Sequence, residues 1–181
     1  MAVVGLFVAI PITIFVSGEA SSPPAEPLAA IEIEEPAVGP LKVEEGLGVR
    51  MRVPEGWSRE QKGSVLELES KDRAARIVIS APGPASDAAQ LHSEVIDGLR
   101  SSYRDFEIAH NLKKTQVGGL DGSATVASGT IPRKKGVQQK ILVSTAKGKD
   151  RAYLVVVFTG VQPSPAVVEA QALVNNLRFT K

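Results

Sequence analysis

The sequence contains no cysteine. It therefore has no disulfide frame, no thiol nucleophile and no lipobox residue to carry a lipoprotein anchor. Histidine occurs twice, at His92 and His110, and tryptophan once, at Trp57. Aromatic residues make up 4% of the chain, too few for a platform on which nucleic-acid bases stack. Basic residues are missing from one region altogether: residues 1–41 hold none of the 21 Lys and Arg. Seven acidic residues precede residue 46 against the single base Lys42, so residues 46–181 carry 20 bases and 13 acids, a balance of +7. A basic body behind an acidic leader favours anionic surfaces.

The first sixteen residues, MAVVGLFVAIPITIFV, carry no charged side chain. A helix needs about 20 apolar residues to span a bilayer, and Pro11 interrupts this one. The pattern suits a signal-peptide core or a membrane anchor over residues 1–20, with a buried N-terminal strand as the plain alternative. No base precedes the apolar run, which departs from the usual signal pattern. Residues 21–45 hold Pro23, Pro24, Pro27, Pro36 and Pro40 among Ala, Ser and Glu, and read as an extended tether. A single folded domain is expected over residues 46–181, and the N-terminal pattern predicts a chain that is exported, or anchored and facing outward.

Within that domain the hydrophobic period changes twice. VRMRV (49–53) reads as a strand that ends in the turn Pro54-Glu55-Gly56 before Trp57. GSVLELES (63–70) and AARIVISA (74–81) alternate, and Lys71-Asp72-Arg73 joins them as a hairpin. DAAQLHSEVIDGLRSSY (87–103) has helical spacing, with Leu91, Val95, Ile96 and Leu99 on one stripe and Asp87 and Gln90 placed as a capping box. Residues 105–160 read as a meander of strands. AYLVVVF (152–158) is apolar on both faces and should be a central strand. SPAVVEAQALVNNLRF (164–179) is expected as a closing helix, with Ser164 as N-cap and Pro165 as first helical residue. The order β-β-β-α-β-β-β-β-α predicts an α+β domain with an antiparallel sheet packed by helices.

Chemistry is sparse. His92 sits beside the apolar stripe of its helix and His110 at a strand end, and no carboxylate cluster or His-x-x-x-His spacing adds to either. No metal and no cofactor is expected. No G-x-S-x-G elbow accompanies the serines, so no catalytic residues are assigned. Gly118-Gly119-Leu120-Asp121-Gly122 lacks the following helix and Lys-Ser/Thr of a phosphate loop, and reads as a hairpin turn or bulge. Arg133, Lys134 and Lys135 form the densest basic cluster, at a predicted hairpin tip. The cluster is either a solvated tip that blocks edge pairing or a contact for anionic lipid or an acidic partner. Trp57 is either a plug folded over the end of the core or an anchor for a partner.

Several motifs occur in a consistent order: VPEGWS (53–58), the hairpin ending IVIS (77–80), TQVGGLDG (115–122), AYLVVVFTG (152–160) and NNLRF (175–179). Together they resemble the PsbP/Mog-like superfamily and, within it, its bacterial extracytoplasmic branch (DcrB/LpqN-like), over about residues 46–181. The resemblance implies an α/β/α sandwich around an antiparallel sheet and a non-enzymatic binding or accessory role. Members include extrinsic photosystem subunits, a nuclear-transport regulator and envelope proteins, so the fold alone does not choose a function. It implies no catalytic residues. The expectation is an envelope accessory protein that binds a partner protein or an amphiphile, with Trp57 and Arg133–Lys135 as candidate contacts. A lipid or glycolipid carrier would require an apolar cavity between sheet and helix. A small hydrolase would require His92 or His110 to meet a serine and a carboxylate. The partner classes are an envelope protein or an anionic lipid surface, and not nucleic acid.

Overall fold

The computed structural model describes residues 41–44, 47–82, 87–132 and 136–179. The export segment 1–20, most of the tether and the cluster Arg133–Lys135 lie outside the described residues. Ten strands and two helices follow along the described chain: β1 (Leu41–Glu44), β2 (Val49–Arg52), β3 (Ser58–Lys62), β4 (Val65–Glu69), β5 (Ala75–Ser80), α1 (Ala88–Ser102), β6 (Arg104–Val117), β7 (Leu120–Thr130), β8 (Gln138–Lys147), β9 (Ala152–Gly160), α2 (Pro165–Asn176) and β10 (Arg178–Phe179).

Seven strands form one antiparallel sheet in the order β3-β4-β5-β9-β8-β7-β6. The doubly apolar run 152–158 lies in β9, the middle strand, as its composition predicts. Its alternate residues feed two separate cores. Tyr153, Val155 and Val157 join Leu66, Leu68, Ile77 and Ile79, and α2 covers them with Ala166, Ala170 and Leu173. Val156 joins Ile141 and Val143 on the other face, beneath Ile96 of α1. Successive strand residues point to opposite faces, so the two cores lie on opposite sides of the sheet.

The expected layering holds in part, because the fold is richer in sheet than the pattern suggested. A second sheet, β1-β2-β10, delivers Val49, Met51 and Phe179 to the α2 core. Its first strand lies inside the predicted tether. Leu41–Glu44 pair antiparallel with Val49–Arg52, so regular structure starts ahead of residue 46. Pro-rich composition ends at Pro40, and the four residues after it are free to pair.

Two further departures have clear causes. β3, SREQK, is exposed at every position and shows no alternation, because it is a polar edge strand with neither face buried. The closing helix stops at Asn176, short of the expected 179. Phe179 lies off the stripe of Leu173 and Leu177, and a continuing helix would leave its ring unburied. Leaving the helix lets Phe179 pair with Val49 and stack on Tyr153, ring centroids 4.0 Å apart.

Both helix starts match their sequence signals. The Asp87 carboxylate accepts from the N–H groups of Ala89 and Gln90, at 2.7 and 3.0 Å. Those bonds, Gln90 first, hold the Asp87 carboxyl below its ordinary pKa. The reciprocal half of a capping box is absent, since the Gln90 side chain donates to Glu94. Ser164 caps α2 by accepting from Val167 N–H, with Pro165 in the first turn. The turn at Gly118-Gly119 has φ of 59° and 85° and joins β6 to β7 as a two-residue hairpin, matching the turn reading of this stretch.

Candidate functional site

Trp57 follows a turn closed by its own N–H on the Pro54 carbonyl at 3.5 Å, with Gly56 at φ 81°. That φ is the third-position requirement of a type II turn, which Gly meets without a Cβ clash. The turn throws the ring back onto the α2 core, where it packs half-buried. Its Nε1–H donates to Glu169 Oε2 at 2.7 Å. The indole is thus fixed between a core contact and a charge-assisted hydrogen bond to α2. One side of the ring region stays open as a groove of about 500 Å³ lined by Glu55, Lys71, Asp72, Pro165 and Glu169 among others. Trp57 therefore packs against the core and forms part of a groove wall.

This arrangement has a direct test. Glu169→Ala removes the indole's acceptor, at a cost of about 1 kcal/mol for a half-buried bond to a charged group. The urea midpoint should fall accordingly, Trp57 emission should move to the red, and acrylamide should quench it more strongly. Unchanged quenching would mean that Glu169 does not fix the ring.

A second groove, of about 680 Å³, lies where the first turn of α1 meets the ends of β6, β7 and β8. Lys113, Lys114 and Lys147 line it, with Asp87, Asp121, Thr115 and Ser123. Neighbouring strand residues ordinarily face opposite sides of a sheet. Here the register shifts: Leu112 pairs with Ala124 and Thr115 with Gly122, so Lys113 and Lys114 together oppose Ser123 alone. This is a β-bulge, which re-aims side chains, and both lysines line the same groove. Sequence reading missed this site. The available signal was the Lys-Lys pair, but strict alternation would have separated the two.

Neither histidine lines either groove, though His92 bonds Thr145, which lines the second. His92 is buried beneath α1, with Nδ1 3.1 Å from Thr145 Oγ1 and Nε2 2.8 Å from Thr125 Oγ1. Thr125 gives its own hydroxyl proton to Asn111 Oδ1 at 3.2 Å, so its oxygen accepts from His92 Nε2–H. Nδ1 is then the unprotonated nitrogen and accepts from the Thr145 hydroxyl. Burial lowers the His92 pKa below its ordinary value. Both nitrogens are committed to threonines, as a structural histidine requires. His110 is exposed on β6. Among the described residues no three His, Cys, Asp or Glu side chains gather as a metal site, and no helix is long and apolar enough to cross a membrane. Of the residues singled out as contacts, the structure places Trp57, while Arg133, Lys134 and Lys135 lie outside the described residues.

No family model matches the chain, and no curated protein sequence does. Solved structures do. The solution structure of cyanobacterial PsbP (CyanoP) from Synechocystis sp. PCC 6803 superposes with a TM-score of 0.59 at 10% identity, over 79% of this chain and 93% of that one. The Ran-binding protein Mog1p of Saccharomyces cerevisiae gives 0.53 at 12%, over 78% and 96%. LpqN of Mycobacterium tuberculosis, a protein involved in cell envelope biogenesis, gives 0.53 at 13%, over 74% and 83%. The chain spans about half, 49%, of a Bacteroides thetaiotaomicron protein that it also resembles at a TM-score of 0.52. At these identities the likeness speaks for the fold and not for any one activity. On that ground the chain has the PsbP/Mog-like fold that its VPEGWS turn and the motifs behind it resemble.

Proposed function

We propose that this protein is a non-enzymatic accessory factor of the bacterial cell envelope, exported or anchored outside the cytoplasm, which works by binding a partner protein or an amphiphile. Its architecture is an α/β/α sandwich with a small sheet added beside α2. The observation that carries the reading is the Trp57 groove. An aromatic ring held by Glu169 stands in an open wall among Glu55, Lys71 and Asp72, which is the chemistry of recognition. Neither histidine lines either groove, and His92 spends both nitrogens on threonines. A hydrolase built on His92 would first have to break that network.

Two known proteins lend support. LpqN, of the same fold, is involved in cell envelope biogenesis, and Mog1p binds Ran, so the fold can serve both settings. The uncharged leader 1–16 agrees with export. A carrier would enclose its cargo in an apolar cavity. Both grooves described here are open and lined partly by charged side chains, which favours recognition at the surface.

A photo-crosslinking amino acid at Lys71, on the groove rim, tests the reading in intact cells that naturally make the protein. Gln61, exposed on edge strand β3, serves as control. Position 71 should yield a discrete protein or lipid adduct by mass spectrometry that position 61 does not. Equal labelling from the two positions would remove the Trp57 groove as the binding site.

A further inference from the structure

We propose that the groove between α1 and the β6–β8 strand ends is a binding site for a phosphate ester, with Lys113, Lys114 and Lys147 as its cationic ligands. This deepens the binding-protein reading and rests on it, but it uses a different groove. Three strands and a helix converge here. Two consecutive lysines at the bulge in β6 line one cavity, and Lys147 at the end of β8 adds a third.

The charges are not consumed internally. None of the three lysines forms an ion pair among the described residues. The two carboxylates in the groove accept from uncharged donors. Asp87 takes the N–H groups of Ala89 and Gln90, and Asp121 takes the amide of Gln116. Lys147 acts on Asp87 only by field, helping to keep its carboxyl ionised. The groove thus keeps three exposed ammonium groups against two carboxylates whose lone pairs face neutral partners.

No arginine lines this groove, so the bidentate fork that serves planar carboxylate and phosphate recognition alike is not available here. Lysines instead act as point charges, the way lysine ordinarily binds phosphate, and three of them suit the spread charge of a phosphate group. Thr115 adds a hydroxyl donor to the lining, Ser123 gives its own hydroxyl proton to the Lys113 carbonyl, and the lysine stems with Ala88 and Ala89 add apolar wall. Inorganic phosphate would fill a small part of about 680 Å³, so the fitting ligand carries its phosphate on a larger body. A lipid head group and a soluble phosphate ester share that chemistry.

The test separates the two sources. The full chain is titrated with glycerol phosphate by NMR, and separately with vesicles of phosphatidylglycerol and phosphatidylcholine by flotation, with pure phosphatidylcholine as control. Binding at the groove should shift the amides of residues 88–89, 113–116 and 121–123. A lipid source predicts phosphatidylglycerol-dependent flotation, and a soluble source predicts saturable glycerol phosphate binding without flotation; either supports the site. The triple variant Lys113→Gln, Lys114→Gln, Lys147→Gln should weaken the binding seen about a hundredfold, taking about fivefold per lysine. A second variant, Arg133→Gln, Lys134→Gln, Lys135→Gln, should leave it nearly unchanged. The proposal is overturned if glycerol phosphate leaves those amides unmoved and phosphatidylglycerol causes no flotation, or if the groove variant keeps the binding seen in the wild type. Such a failure would leave the Lys71 crosslinking result untouched.

Discussion

Gly122→Ala should be among the most damaging single-methyl changes available in this protein. A Cβ built on Gly122 would sit 2.1 Å from the carbonyl oxygen of Thr145 and 3.2 Å from Ala146 Cα. Both atoms belong to the backbone of β8, the strand paired with β7 through Gly122 and Ala146. A flexible side chain can turn away from an added methyl, but a hydrogen-bonded strand can yield only by opening its ladder. Overpacking in a core ordinarily costs about 1–3 kcal/mol, and a backbone obstacle puts this case at about 3 kcal/mol or more. Gly98→Ala is the matched control. Gly98 lies in α1 with no atom within 4 Å of its added Cβ. Alanine there should gain up to about 1 kcal/mol from helix propensity. Urea midpoints should therefore move in opposite directions for the same chemical change. A Gly122→Ala midpoint equal to that of the wild type would show that β7 and β8 can separate freely at this point.

That contrast marks what a sequence can and cannot reveal. Gly98 and Gly122 are the same residue type, and each sits in a segment of clear period. Their difference lies in which strand is paired alongside, a fact of register that no local pattern contains. Features set by nearby residues were legible. The hairpin 63–81, the Asp87 and Ser164 caps, the central placement of β9 and the turn at Gly118-Gly119 all follow from local period and turn chemistry. Features set by edges were not. SREQK has no buried face to impose a pattern, β1 is a four-residue strand just behind the proline-rich stretch, and β10 is a two-residue strand that pairs with β2 from the far end of the described chain.

The candidate sites divide in the same way. Trp57 could be singled out as the only indole, but its partner Glu169 lies 112 residues away, and nothing local announces it. The lysine groove was harder still. A Lys-Lys pair on a strand predicts one residue per face, and a three-against-two step in the β6–β7 register falls where both line one cavity. Bulges are points where a fold gives up ladder regularity in exchange for side-chain direction. The same irregularity interrupts the hydrogen-bonding rim of β6, a fourteen-residue edge strand that would otherwise invite pairing with another chain.

His92 should make the protein less stable as pH falls from about 7 to about 5, and its replacement should remove that slope. The imidazole is neutral in the fold, donating from Nε2 to Thr125 and accepting at Nδ1 from Thr145. Burial depresses its pKa below the ordinary 6.5. In the unfolded chain the ring takes up a proton near 6.5, while the folded chain still excludes it. The unfolded state then binds more protons, so stability rises with pH across this interval. The contribution is fully present above 6.5 and is lost as pH falls toward the folded value. Asp72 and Asp87, also depressed, titrate below 3.8 and so lie outside the window. His110 is present in wild type and variant alike, so their difference isolates His92. His92→Ala also removes a buried ring and leaves the Thr145 hydroxyl without its partner, at a cost of about 2–4 kcal/mol at neutral pH. His92→Gln keeps polar atoms in the site and provides a milder variant if the alanine form does not fold. Urea midpoints of wild type and His92→Gln, compared at about pH 7.5 and about pH 5, should converge as the wild type loses its advantage. A gap that stays constant across that interval would mean that His92 takes up its proton as readily inside the fold as in the unfolded chain.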